Sequence, residues 1–282
     1  MKKDSLGDRM KLYYENIPKT KLMRRNPVII RIDGKAFHTF TRGFERPFDN
    51  ILIETMQKTM KYLCENIQGC KLGYCQSDEI SLLLIDYDNI NTAAWFDYEV
   101  QKMCSIAASM ATLAFNRAFS KAFYKWGNEN LPDWDMGGTN KLVDEKLIKL
   151  CNTYESASEK GAIFDARCFS IPKEEVCNYF IWRQQDATRN SIQMVGQANF
   201  SHKELQNKSC DKIQDMLMTQ KNINWNDFDT VKKHGSCCAK TGKHTFIDIN
   251  TCEQKERPSW EIDTEIPIFT QDRNYIDKWV FI

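Results

Sequence analysis

The order in which hydrophobic periods follow one another between residues 28 and 126 constrains the fold more than any other feature of this 282-residue chain. Residues 28–32 (Val-Ile-Ile-Arg-Ile) form a short β-branched run that ends at Asp33-Gly34. They predict a mostly buried strand with a turn at its C-terminal end. Residues 50–67 carry Ile51, Ile53, Met56, Met60, Leu63, Cys64 and Ile67 at helical spacing, and Gly69 follows as a C′ residue. Two apolar runs, 70–75 and 80–85, flank Gln76-Ser77-Asp78-Glu79 and predict a hairpin with a polar turn. A long helix is predicted from about 97 to 126, on Val100, Met103, Cys104, Ala107, Met110, Ala111 and their successors.

Strand, helix, strand, strand, helix, with a further strand predicted over 164–171, is the βαββαβ order. It predicts an α+β fold: a palm-like, ferredoxin-like antiparallel sheet with helices packed on one face. Outside this core, residues 4–16 have helix-like spacing, 127–141 read as a loop and 141–158 as a helix. Pro172 is placed at the first helical position of a helix reaching about Arg189. Shorter helices are predicted near 202–206 and 210–219, so the C-terminal part is expected to be mostly helical.

Charge and composition narrow the partners. With 39 Lys and Arg against 38 Asp and Glu, the net charge of +1 excludes a uniformly basic coat. Residues 1–46 nevertheless hold twelve basic and five acidic residues, a local +7, leaving −6 for the rest. This asymmetry suggests an anionic partner. The hydrophobic fraction of 42% excludes a disordered chain. No apolar signal core follows the first lysines, and the longest weakly polar run, 103–115, is too short to span a bilayer, so no membrane partner is expected. Eleven cysteines without a secretory signal read as reduced, mostly buried thiols of a cytoplasmic protein.

The sharpest chemical feature is acidic. Asp33 ends one predicted strand, and Asp78 with Glu79 lies at the turn between the next two. Neighbouring strands would bring Asp33 and Asp78 together, where their charges repel unless a cation intervenes. Mg²⁺ prefers such hard oxygen ligands together with substrate phosphates, and two such ions promote phosphoryl transfer. After Asp33, the backbone of Gly34-Lys35-Ala36-Phe37-His38 offers successive N–H groups to a polyphosphate, with Lys35, Arg42 and Arg46 supplying charge. Both stretches also fit plain turns, since Asp and Gly are common there. His234, Cys237, Cys238, His244 and Cys252 fall within 19 residues and raise the alternative of zinc, though their spacing matches no standard knuckle.

Three stretches carry a resemblance: RIDGKAFHTFTRGFERPFD (31–49), GYCQSDEISLLL (73–84) and WRQQDATRN (182–190). Together with LGDRMKLYYE (6–15) and FDARCFSIP (164–172), they resemble the histidine-tRNA guanylyltransferase family, in particular its guanylyltransferase-like branch of 3′-to-5′ polymerases. The resemblance is clear over about 5–195. It implies a palm-like catalytic domain over 1–195 and a C-terminal extension over 196–282 packing on it. It implies two Mg²⁺ ions held by Asp33, Asp78 and the Gly34 carbonyl, with Glu79 a further acidic catalytic residue. Nucleotide is expected along Asp33, Gly34, Lys35, Ala36, Phe37 and His38, near Ser77 and Asp78, and at Arg46 and Asp49 of the RPFD segment. The implied reaction activates a 5′-monophosphorylated tRNA with ATP. The 3′-hydroxyl of GTP or another nucleoside triphosphate then attacks the activated end. A homotetramer built from dimers is also implied.

One departure bears on specificity. The family's eukaryotic members carry a His-rich motif after WRQxD, whereas Ala187-Thr188-Arg189-Asn190 stands here. This favours template-dependent repair of truncated tRNA 5′ ends. Lys102, Arg167, Arg183, Arg189, Lys232 and Lys233 are the candidate RNA-phosphate contacts. Trp182 is either a base-stacking residue or, the plainer reading, part of the core. A palm-fold nucleotide cyclase or signalling synthase and a non-catalytic tRNA-binding protein are the alternative functions.

Overall fold

The computed structural model describes residues 5–131, 144–247 and 253–282. The elements in chain order are α1 (Ser5–Met10), β1 (Val28–Gly34), α2 (Phe37–Phe40), α3 (Asn50–Asn66), β2 (Cys70–Gln76), β3 (Glu79–Leu84) and α4 (Val100–Asn130). There follow α5 (Glu145–Lys160), β4 (Phe164–Ser170), α6 (Lys173–Asn199), α7 (His202–Leu205), α8 (Cys210–Lys221), α9 (Thr230–His234), β5 (Ser236–Ile247), β6 (Gln254–Asp263) and α10 (Asn274–Asp277). Most of the loop expected over 127–141 lies outside the described residues.

All six strands form one antiparallel sheet in the order β4-β1-β3-β2-β5-β6. β1 and β3 each lie between two strands, which is why Val28, Ile29, Ile30 and the Leu82–Leu84 stretch are apolar on both faces. On one face Ile30, Ile32, Leu82 and Leu84 pack with Met56, Met60 and Leu63 of α3 and Met103, Ala107 and Phe115 of α4. On the other, Ile29, Leu72, Tyr74 and Leu83 pack with Val176, Cys177 and Phe180 of α6 and with Phe269 and Ile276.

The βαββαβ order and the α+β class hold. Three details differ from the sequence expectation. Helices cover both faces, because α6 packs on the face opposite α3 and α4. Pro172 caps α6 from outside, and the helix continues to Asn199, driven by the buried positions Ala187, Ser191, Ile192 and Val195. The C-terminal part is less helical than expected: β5 and β6 extend the sheet on the β2 side. A bulge between Ala239 and Gly242 interrupts the alternation by which β5 would be read. Among the described residues, no helix is long and apolar enough to cross a membrane.

Candidate active site

Two strand ends meet at one point. The Gly34 N–H donates to the Asp78 carbonyl at 3.1 Å, joining the end of β1 to the two-residue turn Ser77-Asp78. In register, Asp33 stands opposite Glu79 on β3 and opposite Asp165 on β4. Opposed residues of an antiparallel ladder share a face. Asp165, Asp33 and Glu79 therefore form a row of three acids across three strands, on the α6 side. Arg167, Arg31 and Ser81 make the row behind it.

The carboxyls titrate high. Burial, then the charge of Asp165, raises Asp33, while Arg167, Arg31 and Arg183 pull it down. Burial, then the charge of Asp33, raises Asp78. Burial also raises Glu79, opposed chiefly by Arg183. Asp33 and Asp78, half-buried and mutually repelling, are hard oxygen donors that suit a divalent cation. Glu79 is engaged differently. The Arg183 guanidinium donates to its Oε2 at 3.2 Å and to Asp186 Oδ2 at 2.5 Å.

The loop after β1 approaches the turn closely. A Cβ on Gly34 would stand 2.1 Å from the Phe37 ring, so only glycine fits. Phe37 is held in an aromatic cluster with Phe40, Phe115 and Phe164. Ala36 and Ser77 both have left-handed backbones, at φ +52° and +49°. Such positions cost about 1–2 kcal/mol each, and both face the same cleft. That cleft has a volume of about 570 Å³. Gly34, Ala36, Phe37, His38, Arg46, Asp49, Ser77 and Asp78 line it, along with Arg42, whereas Asp33 and Lys35 stand outside its lining.

Several expected roles change on inspection of partners. Of the successive backbone N–H groups, Gly34 gives its own to Asp78 and Lys35 gives its own to Ile163 at 2.8 Å. Those of Ala36, Phe37 and His38 have no backbone acceptor among the described residues and are available to an anion. Asp49 is buried and accepts from Leu52 N–H (2.9 Å), Glu45 N–H (3.1 Å) and the Tyr154 hydroxyl (2.6 Å). It caps α3 and shapes the arginine loop, so any effect on nucleotide passes through that loop. Arg183 is 5% exposed and doubly ion-paired, which removes it from the RNA surface. Trp182, read as core, is 51% exposed.

Lys102 lies in the first turn of α4, where Cys168 reaches the Val100 carbonyl, away from the Phe164–Gly34 end of the sheet, with its ammonium over the Phe96 ring. Arg167 is exposed and pairs with Asp165 at 2.9 Å. Arg189 is exposed and pairs with Asp186. Lys232 and Lys233 of α9 reach a small cavity shared with Ser77 and Asp49. Cys237 and Cys238 point to opposite faces of β5, and His234 bonds Thr188 at 3.0 Å, so these three do not converge; Cys252 lies outside the described residues. Sequence reasoning missed Asp165 as a neighbour of Asp33. Its only signal was its place at the start of a predicted strand.

The tRNA(His) guanylyltransferase family model matches residues 7–172, more than half of the chain. The chain belongs to the tRNA(His) guanylyltransferase family. Members of this family are nucleotidyltransferases that add nucleotide to tRNA, and the chain is an enzyme of that type. It is similar to a bacterial tRNA(His) guanylyltransferase-like protein in complex with ATP: 43% identity, 99% of this chain and 100% of that chain covered, TM-score 0.76. A bacterial guanylyltransferase-like protein in complex with GTP shows 39% identity over 99% of this chain and 100% of that one, with a TM-score of 0.73. The tRNA(His) guanylyltransferase of Debaryomyces hansenii is 26% identical over 77% of this chain and 75% of that protein.

Proposed function

We propose that the chain is a Mg²⁺-dependent 3′-to-5′ nucleotidyltransferase that repairs truncated tRNA 5′ ends, using ATP to activate a 5′-monophosphate and GTP or another nucleoside triphosphate as the added unit. The observation that carries this reading is the junction of Asp33 and Asp78 at the mouth of an arginine-lined cleft. The bacterial relatives' complexes with ATP and GTP support the choice of nucleotides.

Each part of the site has a task in this reading. The free N–H groups of Ala36, Phe37 and His38, with Arg42 and Arg46, hold a triphosphate in the cleft. Asp33, Asp78 and the Gly34 carbonyl would hold Mg²⁺, which when bound activates an attacking oxygen and stabilises a leaving one. In activation, a 5′-phosphate oxygen of the tRNA attacks the α-phosphorus of ATP and pyrophosphate leaves. In addition, the nucleotide's 3′-hydroxyl attacks the activated 5′-phosphorus and AMP leaves. A 5′-triphosphorylated RNA needs only the second displacement, with pyrophosphate leaving. Arg183 holds Glu79 in place beside Asp33. The −6 balance outside the N-terminal segment is compatible with RNA because basic groups gather near the site. We also propose a homotetramer. The exposed apolar side chains of Leu6, Leu12, Tyr13, Tyr14 and Ile17 support contacts between copies.

The test is incubation with 5′-truncated tRNAs in both phosphorylation states and labelled nucleoside triphosphates. Wild type should extend both. D33N and D78N should each lose at least about a thousandfold in rate while keeping a cooperative melt. Mg²⁺ should raise the Tm of wild type, by about 2.7 kcal/mol of stabilisation at a hundred times its Kd, and leave D78N unmoved. A cyclic nucleotide formed without RNA, or full activity in both variants, would overturn the reading.

A further inference from the structure

The row of side chains behind the acids has an aromatic lid that the reaction chemistry does not use. Trp182 stands on α6 with 51% of its surface exposed, although its neighbours Arg183 and Gln184 are buried. The indole is nonetheless fixed. The Arg183 guanidinium lies 4.0 Å from its ring centroid, and Tyr179 meets it edge-on at 5.9 Å. Arg183 cannot swing away, because Glu79 and Asp186 bind it. On β1, Arg31 approaches the same ring at 5.7 Å and forms no salt bridge among the described residues.

These groups lie close to the reacting centre. Arg31 is two residues before Asp33 on the same strand and the same face, a separation of about 7 Å at ordinary strand rise. That is within the span of one nucleotide. A fixed, half-exposed indole stacks a flat ring with little loss of conformational freedom. Arg31 and, across the ladder, Arg167 place positive charge beside it for the accompanying phosphates. Tryptophan exposed singly needs no explanation on a protein surface. One clamped by a buried ion-paired arginine and flanked by a second arginine, one strand-row from a catalytic acid, is a built platform.

We propose that Trp182, backed by Arg183 and flanked by Arg31, stacks on the base at the 5′ end of the acceptor RNA and positions that end over Asp33. Trp182 is thus a positioning residue for the RNA substrate. The proposal rests on the nucleotidyltransferase reading above, and it is tested by binding as well as by turnover. The probe is a 5′-truncated tRNA with 2-aminopurine at its first position, titrated without nucleoside triphosphate.

Wild-type protein should quench the probe, and W182F should bind within about threefold of it. W182L keeps apolar bulk but lacks a π face, and should bind about 5- to 150-fold more weakly, the range expected for one lost base stack. In turnover, W182L should raise KM for tRNA by a similar factor and leave KM for ATP and GTP unchanged. Equal binding by W182L and W182F would overturn the proposal. So would a rise confined to the KM of a nucleoside triphosphate, which would assign the platform to the free nucleotide. Absence of nucleotide incorporation by wild type, with quenching intact, would instead defeat the proposed reaction alone.

Discussion

At the scale of single residues, Arg183 is the most consequential side chain outside the acids. It is 5% exposed and holds Glu79 and Asp186 at once, with its Nε left without a hydrogen-bond partner. Removing it strands buried negative charge. R183A should therefore lose about 3–5 kcal/mol in urea unfolding. The double variant E79Q/R183M should lose less than the sum of its singles, because the charge that needs the guanidinium is gone. Equal, additive losses would show that the pair does not interact. Arg183 was legible as a cation but not as a buried one. Its partner is 104 residues away, and only the packing of α6 on β3 brings the two together.

At the scale of elements, the site is a junction of two strand ends and a short loop, and its tolerances are steric. Gly34 gives its N–H to Asp78 while the Phe37 ring occupies the space a side chain would need. G34A should push Phe37 out of its cluster with Phe40 and Phe115 and cost about 1–3 kcal/mol, read as a lowered denaturation midpoint. Replacing Phe37 by a smaller residue in the G34A background should recover part of that loss. The acids at Asp33 and Asp78 were readable because each sits where a β-branched run stops, a local signal. The row that includes Asp165 was not readable, since it depends on β4 pairing with β1 across more than a hundred residues of chain. β5 escaped notice for another reason. Its bulge shifts the period, and much of its length is exposed.

At the scale of the whole molecule, folding concentrates negative charge where the reaction needs it and stability does not. Burial raises Asp33, Asp78 and Glu79 above their ordinary values in the folded protein. Raised folded values mean that the unfolded chain holds fewer protons between the two values. Their ionisation therefore destabilises the fold as pH rises through that window, and the penalty is complete above it. D78N should accordingly melt about 2–4 °C above wild type at neutral pH without divalent cations. The advantage should fade as the pH falls toward 3.8, the ordinary Asp value. Identical melting curves across that range would remove the case for repulsion at the site.

The sheet itself ends unevenly. β2 pairs with β5 only from Ser236 to Ala239, whereas β5 and β6 continue together through 242–247 and 254–259. Beyond the bulge, among the described residues, each of these two strands pairs with no strand but the other. A two-stranded ribbon without a third strand is marginal by itself. One strand thus belongs to two regimes, with amide hydrogens near Cys237 and Cys238 shielded for as long as the core is closed, and those past Gly242 open to exchange with solvent through motions that leave the catalytic acids undisturbed.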